Sequence, residues 1–256
     1  MSNATPVILL TNDDGIHAEG LRYLRMAASK LGQVNIVAPE AEQSAVGHSI
    51  TLYDPIKARE VIKDGVFYGY GISGTPADSV KLALYSLLPS PPALVMSGIN
   101  NGANLGINVL YSGTVSAATE AAILGVPAMA VSLAQKKDPP FSWALPHIER
   151  LGKWILDQGL PKGVALNINI PALPPEKIRG FKLTRQALAK FQESVEKRED
   201  PRGNVYYWLS GQGVENAASD EDVTALAEGY VSITPLFYDL TAHTHREGLA
   251  CSLKKL

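Results

Sequence analysis

Five short apolar runs recur along this chain, most of them followed by a stretch with helical spacing, and this alternation limits the fold more than any other feature. The runs are Val7 to Leu10, Val34 to Ala38, Ala93 to Met96, Ala128 to Leu133 and Gly163 to Ile170. The first is β-branched at Val7 and Ile8 and follows Pro6, so it reads as a buried parallel strand. Ala18 to Gly32 then places Leu21, Leu24, Met26, Ala28 and Leu31 at largely helical spacing, with Gly32 as the stop. Thr75-Pro76-Ala77-Asp78 combines an N-cap, a proline at the first helical position and an early acid, opening a helix through Leu88. Further helices are predicted over Val115 to Leu124 and over Trp143 to Gln158, the latter with Pro146 near its start. Strands and helices in this order predict an α/β fold, a doubly wound and mostly parallel sheet with helices on both faces.

Two stretches depart from the pattern. Ile50 to Tyr53 and Val66 to Ile72 have strand character, with Lys63-Asp64-Gly65 as a turn between extended segments, so a hairpin interrupts the parallel order. Beyond Pro171 come Pro174-Pro175, the charged run Glu193 to Arg202 and strand-like Asn204 to Leu209 and Tyr230 to Leu236. One domain is expected, its core at about 1–171 and a C-terminal arm at about 172–256. Tyr206-Tyr207-Trp208 in that arm suits either edge packing or a subunit contact.

The 256 residues are 46% hydrophobic and 19% charged, with a net charge of -2, the make-up of a globular chain with ample core. With no Lys/Arg block there is no footprint for duplex nucleic acid. Cys251 is the only cysteine, which excludes an intrachain disulfide and fits a cytoplasmic location. No basic leader precedes the first apolar run, and no stretch approaches the ~20 apolar residues of a membrane span.

In open α/β sheets ligands bind beyond the carboxyl ends of the strands, and three such exits here carry oxygen ligands. Thr11-Asn12-Asp13-Asp14-Gly15 follows the first strand, Ser44 lies in the loop after the second, and Asn100 follows Ala93 to Met96. Adjacent side chains on a strand diverge, so Asp13 and Asp14 serve one centre only if the chain turns there, which Gly15 permits. Two carboxylates, a hydroxyl and an amide oxygen make a hard donor set, suited to Mg²⁺, Mn²⁺ or Ca²⁺ rather than zinc. Ser112-Gly113-Thr114 sits at a helix start, where amides, hydroxyls and the helix dipole suit a phosphate or simply cap the helix. Beside a divalent cation, a phosphate cradle points to metal-assisted phosphomonoester hydrolysis.

These motifs resemble the SurE, or survival protein E, family of metal-dependent nucleoside monophosphate phosphatases. The resemblance rests on Thr11 to Gly15, on Ser44-Ala45-Val46-Gly47-His48-Ser49, on Ser97-Gly98-Ile99-Asn100 with Gly102 and Asn104, and on Ser112-Gly113-Thr114-Val115. Gly74 to Asp78 and Asn167-Ile168-Asn169-Ile170-Pro171 also match its pattern. It implies a Rossmann-like core with a C-terminal arm exchanged between subunits, giving a homodimer or homotetramer. It also implies one divalent cation per subunit on Asp13, Asp14, Ser44 and Asn100, with Asn12, Asn104, Ser112, Gly113 and Thr114 lining a phosphate pocket. The implied substrates are 5'- and 3'-nucleoside monophosphates, with short polyphosphate for some members.

Two other readings compete. Asp13 or Asp14 attacking directly would give an aspartyl phosphate, as in haloacid dehalogenase-type phosphatases, but those enzymes place one residue between their two acids. A non-catalytic nucleotide-binding module would be poorly served by two acids beside a phosphate. His17 and His48 flank the site as candidate proton donors, and His243 and His245 share one face of an extended segment but lack a third ligand.

Overall fold

The computed structural model describes residues 5–134, 140–188, 192–212 and 218–254. In chain order the first half comprises β1 (Val7–Thr11), α1 (Glu19–Ala28), β2 (Gln33–Pro39), β3 (Ala58–Lys63), β4 (Val66–Ile72), α2 (Pro76–Leu82), β5 (Leu94–Asn101) and α3 (Gly113–Ile123). There follow β6 (Ala128–Leu133), α4 (Leu145–Gln158), β7 (Val164–Ile170), β8 (Phe181–Leu183), β9 (Gln192–Glu199), β10 (Val205–Gln212), α5 (Asp222–Ala227), β11 (Val231–Phe237) and α6 (Arg246–Leu253).

Among the described residues nine strands form one sheet, in the order β3-β4-β2-β1-β5-β6-β7-β11-β8. The run β4-β2-β1-β5-β6-β7 is parallel throughout. Helices cover both faces: α1 and α4 pack with Leu10, Met96 and Ile168 on one side, and α2 and α3 with Leu9, Val95 and Ala165 on the other. Each fully buried Leu or Ile contributes roughly 1.5–3 kcal/mol, so alternate residues of one strand stabilise two helical layers. The chain leaves β1 for β2 on one side and returns to β5 on the other. This reversal opens a crevice at the carboxyl ends of β1 and β5.

The predicted doubly wound α/β sheet is therefore present, with four adjustments. Ile50 to Tyr53 is not a strand; the hairpin partner of β4 is β3, joined through Asp64 and Gly65, both at positive φ as a tight hairpin turn requires. The strand expected to stop at Met96 runs on to Asn101, with a register shift against β6 between Ser97 and Asn100. The core expected to end at about residue 171 takes two more strands: β11 runs antiparallel to β7 and β8 parallel to β11. The charged run from Glu193 lies largely in β9, which pairs with β10 as a separate two-stranded hairpin. Among the described residues no helix is long and apolar enough to cross a membrane.

Candidate active site

A cavity of about 430 Å³ opens at the predicted crevice. Asp13 and Asp14 line it from the β1 exit, Ser44 from the loop after β2, and Asn100, Asn104 and Ser112 from the segments that follow. The structure thus brings together all four predicted metal-ligand positions and two of the five predicted phosphate contacts. Glu42, Ala45, Asn101, Asn108 and Tyr111 also line it. Glu42 is the consequential addition. It stands two residues before Ser44, and a carboxylate so near a predicted ligand was the available signal.

Local hydrogen bonds explain the convergence. Gly15 adopts φ +97°, the backbone turn expected after the paired acids. The Asn12 amide donates to the Gly15 carbonyl at 2.9 Å, and Gln43 N–H donates to the Asp13 carbonyl at 2.7 Å, tying the first two strand exits together. The far end of the Ser44 loop is held by the capping box of α2. Thr75 Oγ1 donates to the Ser49 carbonyl at 2.8 Å, and the Asp78 carboxylate accepts from Thr51 N–H at 3.0 Å. Gly47 N–H donates to the Tyr111 carbonyl at 3.0 Å.

The start of α3 is used differently from the prediction. Asp13 is buried, and its two oxygens accept from Thr114 N–H at 3.0 Å and from the Thr114 hydroxyl. The positive end of α3 therefore faces a carboxylate of the protein itself. Thr114 is fully buried, and neither it nor Gly113 nor Asn12 lines the cavity. Thr114 and Gly113 instead contact Asp13, and the Asn12 amide bonds the Gly15 carbonyl. Gly113 permits the approach: a Cβ there would lie 2.8 Å from Asp13 Cβ and 3.1 Å from Pro76 Cγ. Gly113→Ala is accordingly expected to push Asp13 off its position and lower turnover by at least tenfold, while circular dichroism at 25 °C still reports the native fold. Wild-type rates would show that the contact is slack.

Ser112 remains at the cavity wall, where its Oγ caps α3 by accepting from Val115 N–H at 3.1 Å. Asn104 is held by Asn169 and Ser132: its N–H donates to Asn169 Oδ1 at 2.7 Å and its Nδ2 to Ser132 Oγ at 2.9 Å. Asn167 and Asn169 both donate to its carbonyl, which accounts for the Asn167-Ile168-Asn169 motif. Asn100 donates Nδ2 to the Gly102 carbonyl at 2.7 Å, so its remaining acceptor, Oδ1, is the atom available to a ligand. Ser44 Oγ donates to Glu42 at 2.6 Å.

The electrostatics are one-sided. Burial pushes the Asp13 carboxyl above its usual range against the pull of the Thr114 bonds. Burial and then the Asp13 and Glu42 carboxylates push Asp14 up to about 6. Among the described residues no Lys, Arg or His lines the cavity. His48 instead binds Glu120 at 2.7 Å, a carboxylate that Lys81 also holds at 2.6 Å, and it faces a different, largely apolar cavity. Burial opposes the charge of Glu120, but its bonds to His48 and Lys81 outweigh that and hold the carboxyl below its ordinary range. His48 therefore braces the Ser44 loop against α2 and α3. His17 does not line the cavity either.

Among the described residues no three His, Cys, Asp or Glu side chains form a metal-holding group by themselves. The donor set that fits a cation is mixed: two aspartates, a hydroxyl, an amide oxygen and solvent, which is the chemistry of a hard divalent ion.

Paired acids at the switch point of a doubly wound sheet, with one acid anchored on a helix start, define an α/β phosphohydrolase-type enzyme. Comparison with known proteins narrows this further: the model of the survival protein SurE family matches residues 8–193, and the chain belongs to that family. A 5'-nucleotidase SurE from Syntrophus aciditrophicus is 51% identical over 249 residues, covering 96% of this chain and 94% of that protein. Another, from Syntrophobacter fumaroxidans, is 49% identical over 237 residues, covering 91% and 94%. The crystal structure of the SurE protein from Aquifex aeolicus superposes with a TM-score of 0.85 at 41% identity, covering 95% of this chain and 98% of that one.

Proposed function

We propose that this enzyme hydrolyses nucleoside 5'-monophosphates, and 3'-monophosphates by the family resemblance, to nucleoside and phosphate. One divalent cation per subunit, Mg²⁺ or Mn²⁺, is assigned to Asp13, Asp14, Ser44 and Asn100. The observation that carries this reading is the lining of the cavity, where three carboxylates stand with no basic side chain beside them among the described residues. Such a wall repels a phosphate dianion unless a cation lies between them.

When bound, the cation neutralises phosphoryl charge and makes a neighbouring water more acidic. The chain supplies the placement. Thr114 fixes Asp13, the bond from Asn100 Nδ2 to Gly102 leaves its Oδ1 as the acceptor for a ligand, and Ser112, Asn101, Asn104 and Asn108 line the wall where phosphoryl oxygens can be bound. Water then forms the new P–O bond while the ester P–O bond breaks, with a proton passing to the departing ribose oxygen. An aspartyl phosphate through Asp13 is disfavoured because hydrogen bonds from Thr114 to both oxygens lower their nucleophilicity, while each keeps a lone pair for a cation. Phosphate release from AMP, GMP and 3'-AMP by chelator-stripped protein, with Mg²⁺, Mn²⁺ or Ca²⁺ restored in turn, tests the reading. Absence of turnover with every pair would refute it.

Cation binding should also depend on pH. Because Asp14 in the cation-free protein is protonated below about 6, the cation must displace a proton there. Calorimetric titration of Mn²⁺ should give constant affinity above about pH 7 and a progressive loss, up to about tenfold per pH unit, below 6. The sign for stability follows. A carboxyl raised on folding makes the cation-free fold less stable as pH rises from about 4 to 6, and the cation reverses this. Its stabilising shift in Tm should therefore be larger at pH 7.5 than at pH 5.

The exposed side chains of β10, with Tyr207 at 62% and Trp208 at 57%, support assembly through this hairpin into a homodimer or homotetramer. Light scattering on Trp208→Ala should show a smaller particle than wild type; an unchanged mass would assign the cluster to packing within one chain.

A further inference from the structure

A second cavity, of about 340 Å³, lies between α1 and the β3–β4 turn. Arg22 and Arg25 of α1 line it with Lys63, Phe67 and Tyr68 from the hairpin. It stands well away from the aspartates. Tyr68 is two strands from β1, at about the level of Leu9, whereas Asp13 lies beyond the end of β1 at Thr11.

Two cations share one aromatic ring here. Lys63 Nζ stands 3.7 Å from the Tyr68 ring centroid and the Arg25 guanidinium 5.0 Å from it. Nearby carboxylates do little to balance them. Glu19 pairs with Arg22 at 3.1 Å, and Asp64 also lines the cavity, but neither Arg25 nor Lys63 has an ion pair among the described residues. Burial, then Arg25 and Arg22, push the Lys63 ammonium below its ordinary range, so the gathered charge costs something in the ligand-free protein. Tyr68 is buried and its hydroxyl has no hydrogen-bond partner among the described residues. Arg22 and Arg25, three residues apart on a helix, present neighbouring forks to the same space.

We infer that this cavity is a second anion site, which takes a phosphate group, either free or carried by a nucleotide, apart from the catalytic centre. A guanidinium fork beside an ammonium is a pairing suited to phosphate oxygens. The cavity volume falls within the range of small-ligand sites, and the exposed Phe67 ring adds an apolar wall.

Removing divalent cations separates the two sites, since the carboxylate-lined catalytic cavity then repels phosphate. The experiment is calorimetric titration of inorganic phosphate, AMP and adenosine into the whole protein at low ionic strength with chelator present. One phosphate-binding event per chain is expected, weakened at least tenfold in Arg25→Gln/Lys63→Gln and weakened by added salt. Lys63→Gln alone should show a smaller loss, and Mg²⁺-dependent turnover should stay at the wild-type level in both variants. Equal affinities for phosphate and AMP would assign the site to the free anion, and at least tenfold tighter AMP to a nucleotide. Phosphate binding that vanishes with the chelator, that survives unchanged in the double variant, or adenosine binding as tightly as AMP would overturn the inference.

Discussion

Asp13→Asn is expected to lower kcat/KM for nucleoside monophosphate hydrolysis by roughly 10²–10³-fold, the scale on which a single preorganised group for stabilising charge is lost, while leaving the fold intact. The amide is nearly isosteric, and its oxygen can still accept from Thr114 N–H, now 3.0 Å from the carboxylate. What disappears is the negative charge. Thr114→Val provides the contrast, because it keeps the charge of Asp13 but removes one of the two groups that orient it. Loss of such an orienting group costs about 10–100-fold in cation affinity. The two variants should therefore separate under saturating Mn²⁺: turnover recovers in Thr114→Val, with Thr114→Ser close to wild type throughout, and does not recover in Asp13→Asn. Full activity of Asp13→Asn in chelator-stripped protein with Mg²⁺ restored would remove Asp13 from the chemistry.

This contrast also shows what could be read from the residues and what could not. The strand exits were legible because parallel strands are apolar runs with polar residues just beyond, and a doubly wound sheet gathers those exits at one place. Asp13, Asp14, Ser44 and Asn100 were picked out in that way, and the folded chain brings all four to one cavity. The start of α3 was legible as an anion site, but a helix N-terminus attracts a carboxylate and a phosphate by the same physics. Only the folded chain shows that Asp13 takes Thr114. The edge of the sheet misled for another reason. β3 carries Arg59, Glu60 and Lys63 and is mostly exposed, as an edge strand must be to resist pairing with other chains, so its apolar signal is weaker than that of Ile50 to Tyr53, which is not a strand. Ser97 to Asn101 looks like loop by composition, yet Ser97, Gly98 and Ile99 are buried between neighbouring strands and the ladder resumes at Asn100.

Asp222→Ala is expected to destabilise the protein by on the order of 3 kcal/mol, since buried donors left without partners cost about 1–3 kcal/mol each. Asp222 is fully buried at the start of α5, beyond the point where the sheet was expected to end. Its Oδ2 accepts from Gly106 N–H at 2.9 Å, and its Oδ1 accepts from Ala187 N–H at 3.1 Å and from Val223 N–H at 2.8 Å. Gln186 donates to the Gly106 carbonyl at 2.9 Å from the same side. One carboxylate thus clasps three parts of the chain: the segment that follows Asn104, the irregular segment after β8, and the start of α5. At about 2–4 °C per kcal/mol for a chain of this size, Asp222→Ala should lower Tm by roughly 6–12 °C. Activity should fall as well, because Asn104 and Asn108 at the cavity wall flank the clasped Gly106. Asp222→Asn keeps the shape and one acceptor oxygen, so its loss should be smaller in both measurements. The informative comparison is at 20 °C, where both variants are folded. A raised KM with kcat near wild type would place the clasp in substrate binding, whereas wild-type KM and kcat in Asp222→Ala, with only Tm reduced, would make the contact purely structural and separate the C-terminal segment from the catalytic cavity.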